Sequence, residues 1–237
     1  MQIGSAQWQQ LIVEGSRAFG LEIESGLAEQ FAVHARELVH WTARINLTTI
    51  TDAEEIAVKH FLDSLAPAAL LPHDATLLDI GSGGGFPGIP LKLVRPSLEV
   101  SLIDASRKKV TFLRHVIRTL GLSGIQALHL RAEDLGRSPE APHQFQVIVS
   151  RALSALEPFL RMALPLLAPT GTIIAMRGKL TDSEALTARD HVLALRSGPG
   201  AEKSDISLQV RSYRLPLLSS QRTLVILQKR PRNPDAA

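Results

Sequence analysis

The residues with the clearest chemical spacing run Thr76-Leu77-Leu78-Asp79-Ile80-Gly81-Ser82-Gly83-Gly84-Gly85-Phe86-Pro87-Gly88. An apolar run ends in a carboxylate, enters a glycine turn and continues into a helix opened by Pro87. In an open α/β sheet this arrangement builds a pocket for a nucleoside-bearing cofactor, because glycine lets the backbone turn sharply and approach a ligand. A second apolar run, Leu98-Glu99-Val100-Ser101-Leu102-Ile103, delivers Asp104 about twenty residues on, where a carboxylate can hold ribose hydroxyls. The spelling Asp-x-Gly-x-Gly-x-Gly favours S-adenosylmethionine over a dinucleotide. The chemistry it points to is methyl transfer.

Gly83-x-Gly85-x-x-Gly88 also satisfies the dinucleotide pattern Gly-x-Gly-x-x-Gly. In a dinucleotide site, however, the first glycine directly follows the strand. Here Gly81 already ends it, and the match falls late. Pro87 and Pro90 fit a first helical turn, where missing amide donors cost little, and a site with no pyrophosphate to cradle tolerates them better. The plainest alternative is a glycine-rich strand-to-helix turn that binds nothing.

Ligands of open α/β sheets bind beyond the carboxyl ends of the strands, so each strand end carries candidate chemistry. The first gives Gly81 to Phe86 and the second Asp104. The third gives Ala132 and Glu133, placed where an adenine ring would lie; Glu133 can accept from its exocyclic amine. The fourth gives Arg151, and the fifth Arg177 and Lys179. An acidic rim facing a basic rim suits S-adenosylmethionine beside an anionic substrate. Read blandly, Glu133 caps a helix and Arg151 is a surface charge.

Periodicity supplies the elements that must position these groups. Trp8, Leu11 and Ile12 mark a short helix. Leu27, Phe31, His34, Leu38, Trp41 and Ile45 recur at helical spacing and mark an amphipathic one. Asp52 with Glu55 reads as an N-cap pair opening a helix through about residue 71. From Thr76 onward strands and helices alternate. Strand 98–103 precedes helix 107–120, with its stripe Val110, Leu113, Ile117 and Leu120. Strands 125–130 and 145–149 follow, then a helix broken around Pro165, strand 171–176 and a helix over 180–195. Runs 206–215 and 223–228 read as an antiparallel hairpin at the sheet edge. The fold class is α/β: a Rossmann-like, doubly wound methyltransferase sheet of seven strands, the last two an edge hairpin. An N-terminal helical extension (1–72) precedes the methyltransferase domain (73–230), and a basic, disordered tail (231–237) closes the chain.

A chain of 237 residues, 45% hydrophobic, fits one large domain with an extension. The lack of cysteine excludes disulfides, thiolate zinc sites and cysteine nucleophiles, and fits a reducing cytoplasm. The segment Met1–Gln7 has no basic-then-apolar character, so no signal peptide is expected. Apolar stretches such as 65–71 are short and broken by Pro67 and Pro72, so no membrane span is expected. The eight histidines form no His-Glu-x-x-His arrangement, so no metal site is expected. Formal charge is +3, with cations concentrated at Arg107-Lys108-Lys109, Arg114 and Arg118 and in the tail. Such runs are either solvated faces or nucleic-acid contacts. Cations at a helix start oppose the helix dipole, which favours a functional reading.

Asn46-Leu47-Thr48, His60-Phe61-Leu62-Asp63-Ser64 and the glycine-proline segment from Asp79 to Pro90 together resemble the bacterial small-subunit ribosomal RNA guanine-N7 methyltransferases, also called the glucose-inhibited division protein B family. Arg107-Lys108-Lys109-Val110-x-Phe112-Leu113, Ser150-Arg151-Ala152 and Arg177-Gly178-Lys179, with Glu184, agree; Arg177 stands where the family usually has lysine. The resemblance implies S-adenosyl-L-methionine contacts at Gly81, Phe86, Ala132, Glu133 and Arg151, to which the glycine turn and the second strand end add Gly83 and Asp104. Asn46, His60, Asp63, Arg177 and Lys179 fall to the substrate side. It implies small-subunit ribosomal RNA, or the small ribosomal subunit itself, as partner; the enzyme is expected to be a cytoplasmic monomer. On residue spacing alone, Lys59, His60 and Asp63 share one helix face, either a solvated ion-pair face or a surface facing RNA or cofactor.

Rival methyl acceptors fit less well. Pyrimidine carbon-5 needs a cysteine nucleophile. An exocyclic amine uses an Asn/Asp-Pro-Pro-aromatic turn, where this chain reads Ser150-Arg151-Ala152-Leu153. A ribose hydroxyl needs a base. Guanine N7 offers an unprotonated lone pair and needs none. Arg151 can orient the base through O6 or bind the cofactor carboxylate. The alternatives are a methyltransferase of a small molecule or protein, and an assembly factor with a vestigial pocket.

Overall fold

The computed structural model describes residues 1–137, 144–151, 155–178, 180–181, 186–187, 204–218 and 220–231. Its centre is a seven-stranded sheet in the order β3-β2-β1-β4-β5-β7-β6. The strands are β1 (Thr76–Ile80), β2 (Glu99–Asp104), β3 (Ile125–His129), β4 (Phe145–Arg151), β5 (Leu167–Arg177), β6 (Ser204–Arg214) and β7 (Gln221–Pro231). The first five run parallel, and β7 and β6 add the expected antiparallel edge. The chain leaves β1 toward β2 on one side and returns to β4 on the other. That reversal opens a crevice beyond the carboxyl end of β1.

The central strands are apolar on both faces, as a doubly covered parallel sheet requires. Side-chain alternation sends Leu77, Leu102 and Val149 into one core, and Leu78, Ile103 and Ile148 into the other. The first core carries the helices α1 (Ala6–Ser16), α2 (Ser25–Ile45), α5 (Gly88–Val94) and α6 (Arg107–Thr119). The second is covered by α7 (Leu156–Ala163), through Leu156, Phe159 and Leu160. Trp8, Phe31 and Phe61 are fully buried with sheet residues in the first core, so the N-terminal helices are part of its wall. Among the described residues no helix is long and apolar enough to cross a membrane.

Local signals explain the element ends. The Ser5 side chain accepts from the Trp8 amide at the start of α1. Asp52 accepts from the Glu55 amide at 2.9 Å, the expected cap of α3 (Ala53–Ile56). Helix α2 ends on Asn46 in the left-handed conformation.

The single helix expected to run to residue 71 is instead composite. After α3 comes a π-helical stretch, Ala57–Leu62, then α4 (Asp63–Leu65) and a 3₁₀ turn, Ala68–Leu70. Lys59, His60 and Asp63 do not share a solvated face. Lys59 pairs with Glu55 at the surface, whereas His60 and Asp63 are 8% and 6% exposed. The fifth strand starts earlier than expected, at Leu167. Most of the expected 180–195 helix lies outside the described residues, as do Lys179, Ala152, Glu184 and the tail beyond Pro231.

Candidate active site

The turn after β1 is held by its own backbone. Gly81 and Ser82 amides donate to the Ile103 carbonyl, and Gly85 and Phe86 amides donate to the Ser82 carbonyl. Gly81 sits at φ +74, and a Cβ placed on it would meet nothing within 4 Å. It faces a cavity of about 260 Å³ bordered by Asp104, Ala105, Ala132, Glu133 and Met162. A larger cavity of about 680 Å³ continues between the 3₁₀ stretch Ala132–Arg137 and α7, sharing Ala132, Glu133 and Met162. A bare glycine backbone, an apolar cleft and carboxylates at its edge fit a nucleoside-bearing cofactor.

Asp104 ends β2 at the cavity rim. One carboxylate oxygen accepts from the Gly83 amide at 3.1 Å and the other from the Ser106 amide at 2.8 Å. Each oxygen retains a lone pair. Ala132 is buried and Glu133 exposed where the chain leaves β3. Asp79 lies underneath, fully buried. One of its oxygens accepts from the Gly88 amide at 2.9 Å and the other has no partner. Burial pushes its pKa up to about 7.

The basic side is built differently. Arg151 donates through Nη1 to the Lys59 carbonyl at 2.8 Å and through Nη2 to His60 Nδ1 at 3.2 Å. Its guanidinium also lies 3.8 Å from Asp63 and 4.9 Å from the Phe86 ring centre. A guanidinium only donates, so His60 Nδ1 is bare, and Nε2 donates to Thr48 Oγ1 at 2.8 Å. Burial, then Arg151, pushes the His60 pKa down to about 3. Asp63 accepts from the Tyr213 hydroxyl at 2.7 Å. Burial raises the pKa of both groups, and Asp63 raises that of Tyr213 further.

Gly81, Asp104, Ala132 and Glu133 therefore come together around one cavity, and Gly83 stands behind its rim, joined to it through Asp104. Phe86 and Arg151 lie behind the glycine turn, stacked against the N-terminal helices. Asn46 is exposed at the end of α2, and Arg177 is half-buried at the end of β5. In α6, Arg107 and Lys108 are exposed in the first turn while Val110, Phe112, Leu113 and Val116 are buried. Among the described residues no cluster of His, Asp and Glu could hold a metal ion. Sequence reasoning missed His34 and Tyr213. The signal for His34 was a polar residue inside the apolar stripe of α2.

Residues 27–200 match the protein-family description "rRNA small subunit methyltransferase G". The chain belongs to this family. A curated member from Geobacter sulfurreducens, named Ribosomal RNA small subunit methyltransferase G, is 47% identical over 91% of this chain and 94% of its own. One from Myxococcus xanthus with the same name is 37% identical over 95% and 99%. Solved structures share the fold at low identity. An O-methyltransferase from Bacillus cereus in complex with SAH aligns with TM-score 0.55 at 17% identity, over 82% of this chain and 90% of that one. A SAM-dependent methyltransferase from Aquifex aeolicus aligns with TM-score 0.54 at 17% identity, over 77% and 96%. Membership makes this an rRNA methyltransferase with a Rossmann-like sheet.

Proposed function

We propose that the protein transfers a methyl group from S-adenosyl-L-methionine to N7 of one guanine in small-subunit (16S) ribosomal RNA. The observation that carries the cofactor assignment is the Gly81 backbone, bare toward a cavity whose rim holds Asp104 and Glu133. When bound there, S-adenosylmethionine supplies an electrophilic methyl group on a sulfonium. Asp104 accepts from ribose hydroxyls while its backbone bonds keep it in place. Ala132, Glu133 and Met162, which line the same cavity, would hold the adenine. Because N7 presents a free lone pair, the residues have to align and desolvate rather than remove a proton.

On the basic side, Arg151 serves either the cofactor carboxylate or guanine O6. His60 and Asp63, being buried, serve the substrate side by holding Arg151. Asn46, Arg177 and Lys179 contribute to the RNA-facing rim, and the first turn of α6 supplies cations for phosphates. The enzyme works as a cytoplasmic monomer, with residues 1–72 forming the helical extension to the catalytic domain.

The test is tritiated methyl transfer to small ribosomal subunits lacking N7-methylguanine, followed by reduction and aniline cleavage. Label with one new cleavage is the expected result. Label without cleavage refutes N7, and no label despite cofactor binding refutes the substrate.

A further inference from the structure

We infer that His34, on α2 of the N-terminal extension, is a positioning residue that sets the glycine turn against the cofactor cavity by hydrogen bonding to the Gly84 carbonyl. The inference rests on the cofactor reading above. His34 is fully buried, and its Nε2 lies 2.8 Å from that carbonyl. A carbonyl only accepts, so Nε2 carries the proton and Nδ1, which has no partner, is bare. The turn is thus tied on two sides by successive residues. The Gly83 amide donates to Asp104 on the cavity rim, and the Gly84 carbonyl accepts from His34 on the far wall.

Two further contacts fix the imidazole. It stacks on Phe86, with ring centres 4.8 Å apart and planes 10° apart. His34 Cε1 stands 3.2 Å from where a Cβ on Gly85 would sit. Ile89 stands nearer still, at 2.6 Å, so a side chain at Gly85 would meet Ile89 first and then press on the imidazole. Burial holds the His34 pKa down to about 4, so the ring is a neutral, single-tautomer donor around neutral pH. The sheet holds the turn through Ile103, Asp79 and Asp104, and His34 adds a tether from a helix that precedes the sheet in the chain.

Two variants of the full-length protein separate the donor from the stack. His34→Phe keeps a ring on Phe86 and removes the donor; His34→Gln keeps a donor at similar reach and removes the ring. S-adenosylmethionine binding is measured by calorimetry, and kcat and KM on small ribosomal subunits. His34→Phe should raise Kd and the cofactor KM about tenfold with kcat at saturation nearly kept, and His34→Gln should restore much of the affinity. Wild-type affinity in His34→Phe overturns the inference, as does equal weakening in both variants. If the wild-type chain itself fails to bind S-adenosylmethionine, the cofactor reading falls instead. Imidazole ¹⁵N shifts of the wild-type protein give a test that needs no variant. A protonated Nε2 with a bare Nδ1 supports the inference, and the reverse tautomer overturns it.

Discussion

Arg151 at the end of β4 donates to the main-chain carbonyl of Lys59 at 2.8 Å, binding the sheet to a helical stretch far earlier in the chain. The same guanidinium reaches His60 and approaches Asp63 and Phe86. It therefore holds the N-terminal wall to the sheet behind the glycine turn. Arg151→Lys keeps the charge but cannot make the forked contacts. The expected outcome is lower thermal stability together with a fall in methyl transfer larger than the drop in folded protein. Unchanged turnover per folded molecule would show that Arg151 is purely structural.

Tyr213 joins the same network from the sheet edge. Its hydroxyl donates to a carboxylate that is otherwise 3.8 Å from the Arg151 and Arg222 nitrogens. Tyr213→Phe leaves a buried Asp63 oxygen short of a donor and should cost about 1–3 kcal/mol in urea unfolding. A change within error would mean that water or an arginine takes the place of the hydroxyl.

Gly81 separates cofactor binding from folding. A Cβ there enters open cavity, so Gly81→Val should block S-adenosylmethionine by filling its site, while the strain of a valine at φ +74 costs on the order of 1–3 kcal/mol. Asp104→Ala should weaken binding by about 1–3 kcal/mol and also free the Gly83 and Ser106 amides. Calorimetry on both variants checks this; normal binding in both removes the proposed pocket.

The pocket was legible because its parts are local. A carboxylate, a glycine turn and a second acidic strand end lie in consecutive segments, and strand-helix alternation dictates where strand ends meet. The wall behind the pocket was not. Helical spacing cannot announce a π turn, nor that Arg151, Phe86 and Tyr213 cover His60 and Asp63. Nor can spacing show that His34, one polar position in an apolar stripe, finds its partner in the Gly84 carbonyl. Arg151 and Tyr213 were readable as residue types, but their partners come from distant segments that only the closed fold brings together.

Four buried groups set opposing pH dependences. His34 and His60 have pKa values held near 4 and 3, so between there and 6.5 the unfolded chain binds two protons that the folded one refuses. Their contribution is present above pH 6.5 and is lost as pH falls. Asp79, raised to about 7, acts the other way: the folded state holds a proton that the unfolded carboxylate releases above its ordinary value. Asp63, also raised, shares that sign. Urea unfolding between pH 4.5 and 6.5 should therefore show a steeper acid-side loss in Asp79→Asn, by about 1.4 kcal/mol per pH unit. His34→Phe should flatten the slope by a similar amount. Parallel curves for all three proteins would contradict the assigned protonation states.

The first turn of α6 gives a prediction in which stability and function move apart. Arg107 and Lys108 are exposed there with Lys109 half-buried beside them, no acidic residue in that turn and no side-chain cap on Ser106. Cations at a helix start face the positive end of its dipole, so replacing all three by glutamate should stabilise the helix by about 0.3–1 kcal/mol per site. If the cations neutralise phosphates, the same variant should bind ribosomal RNA more weakly. The slope of log K against log salt should then fall by about 0.7–0.9 for each phosphate no longer neutralised. S-adenosylmethionine binding should stay as it was, because none of the three lines the cavity. A more stable protein with an intact cofactor site and poor RNA methylation is the expected combination. A more stable protein that methylates normally would make this turn a solvated face and move the RNA-binding surface elsewhere on the basic rim.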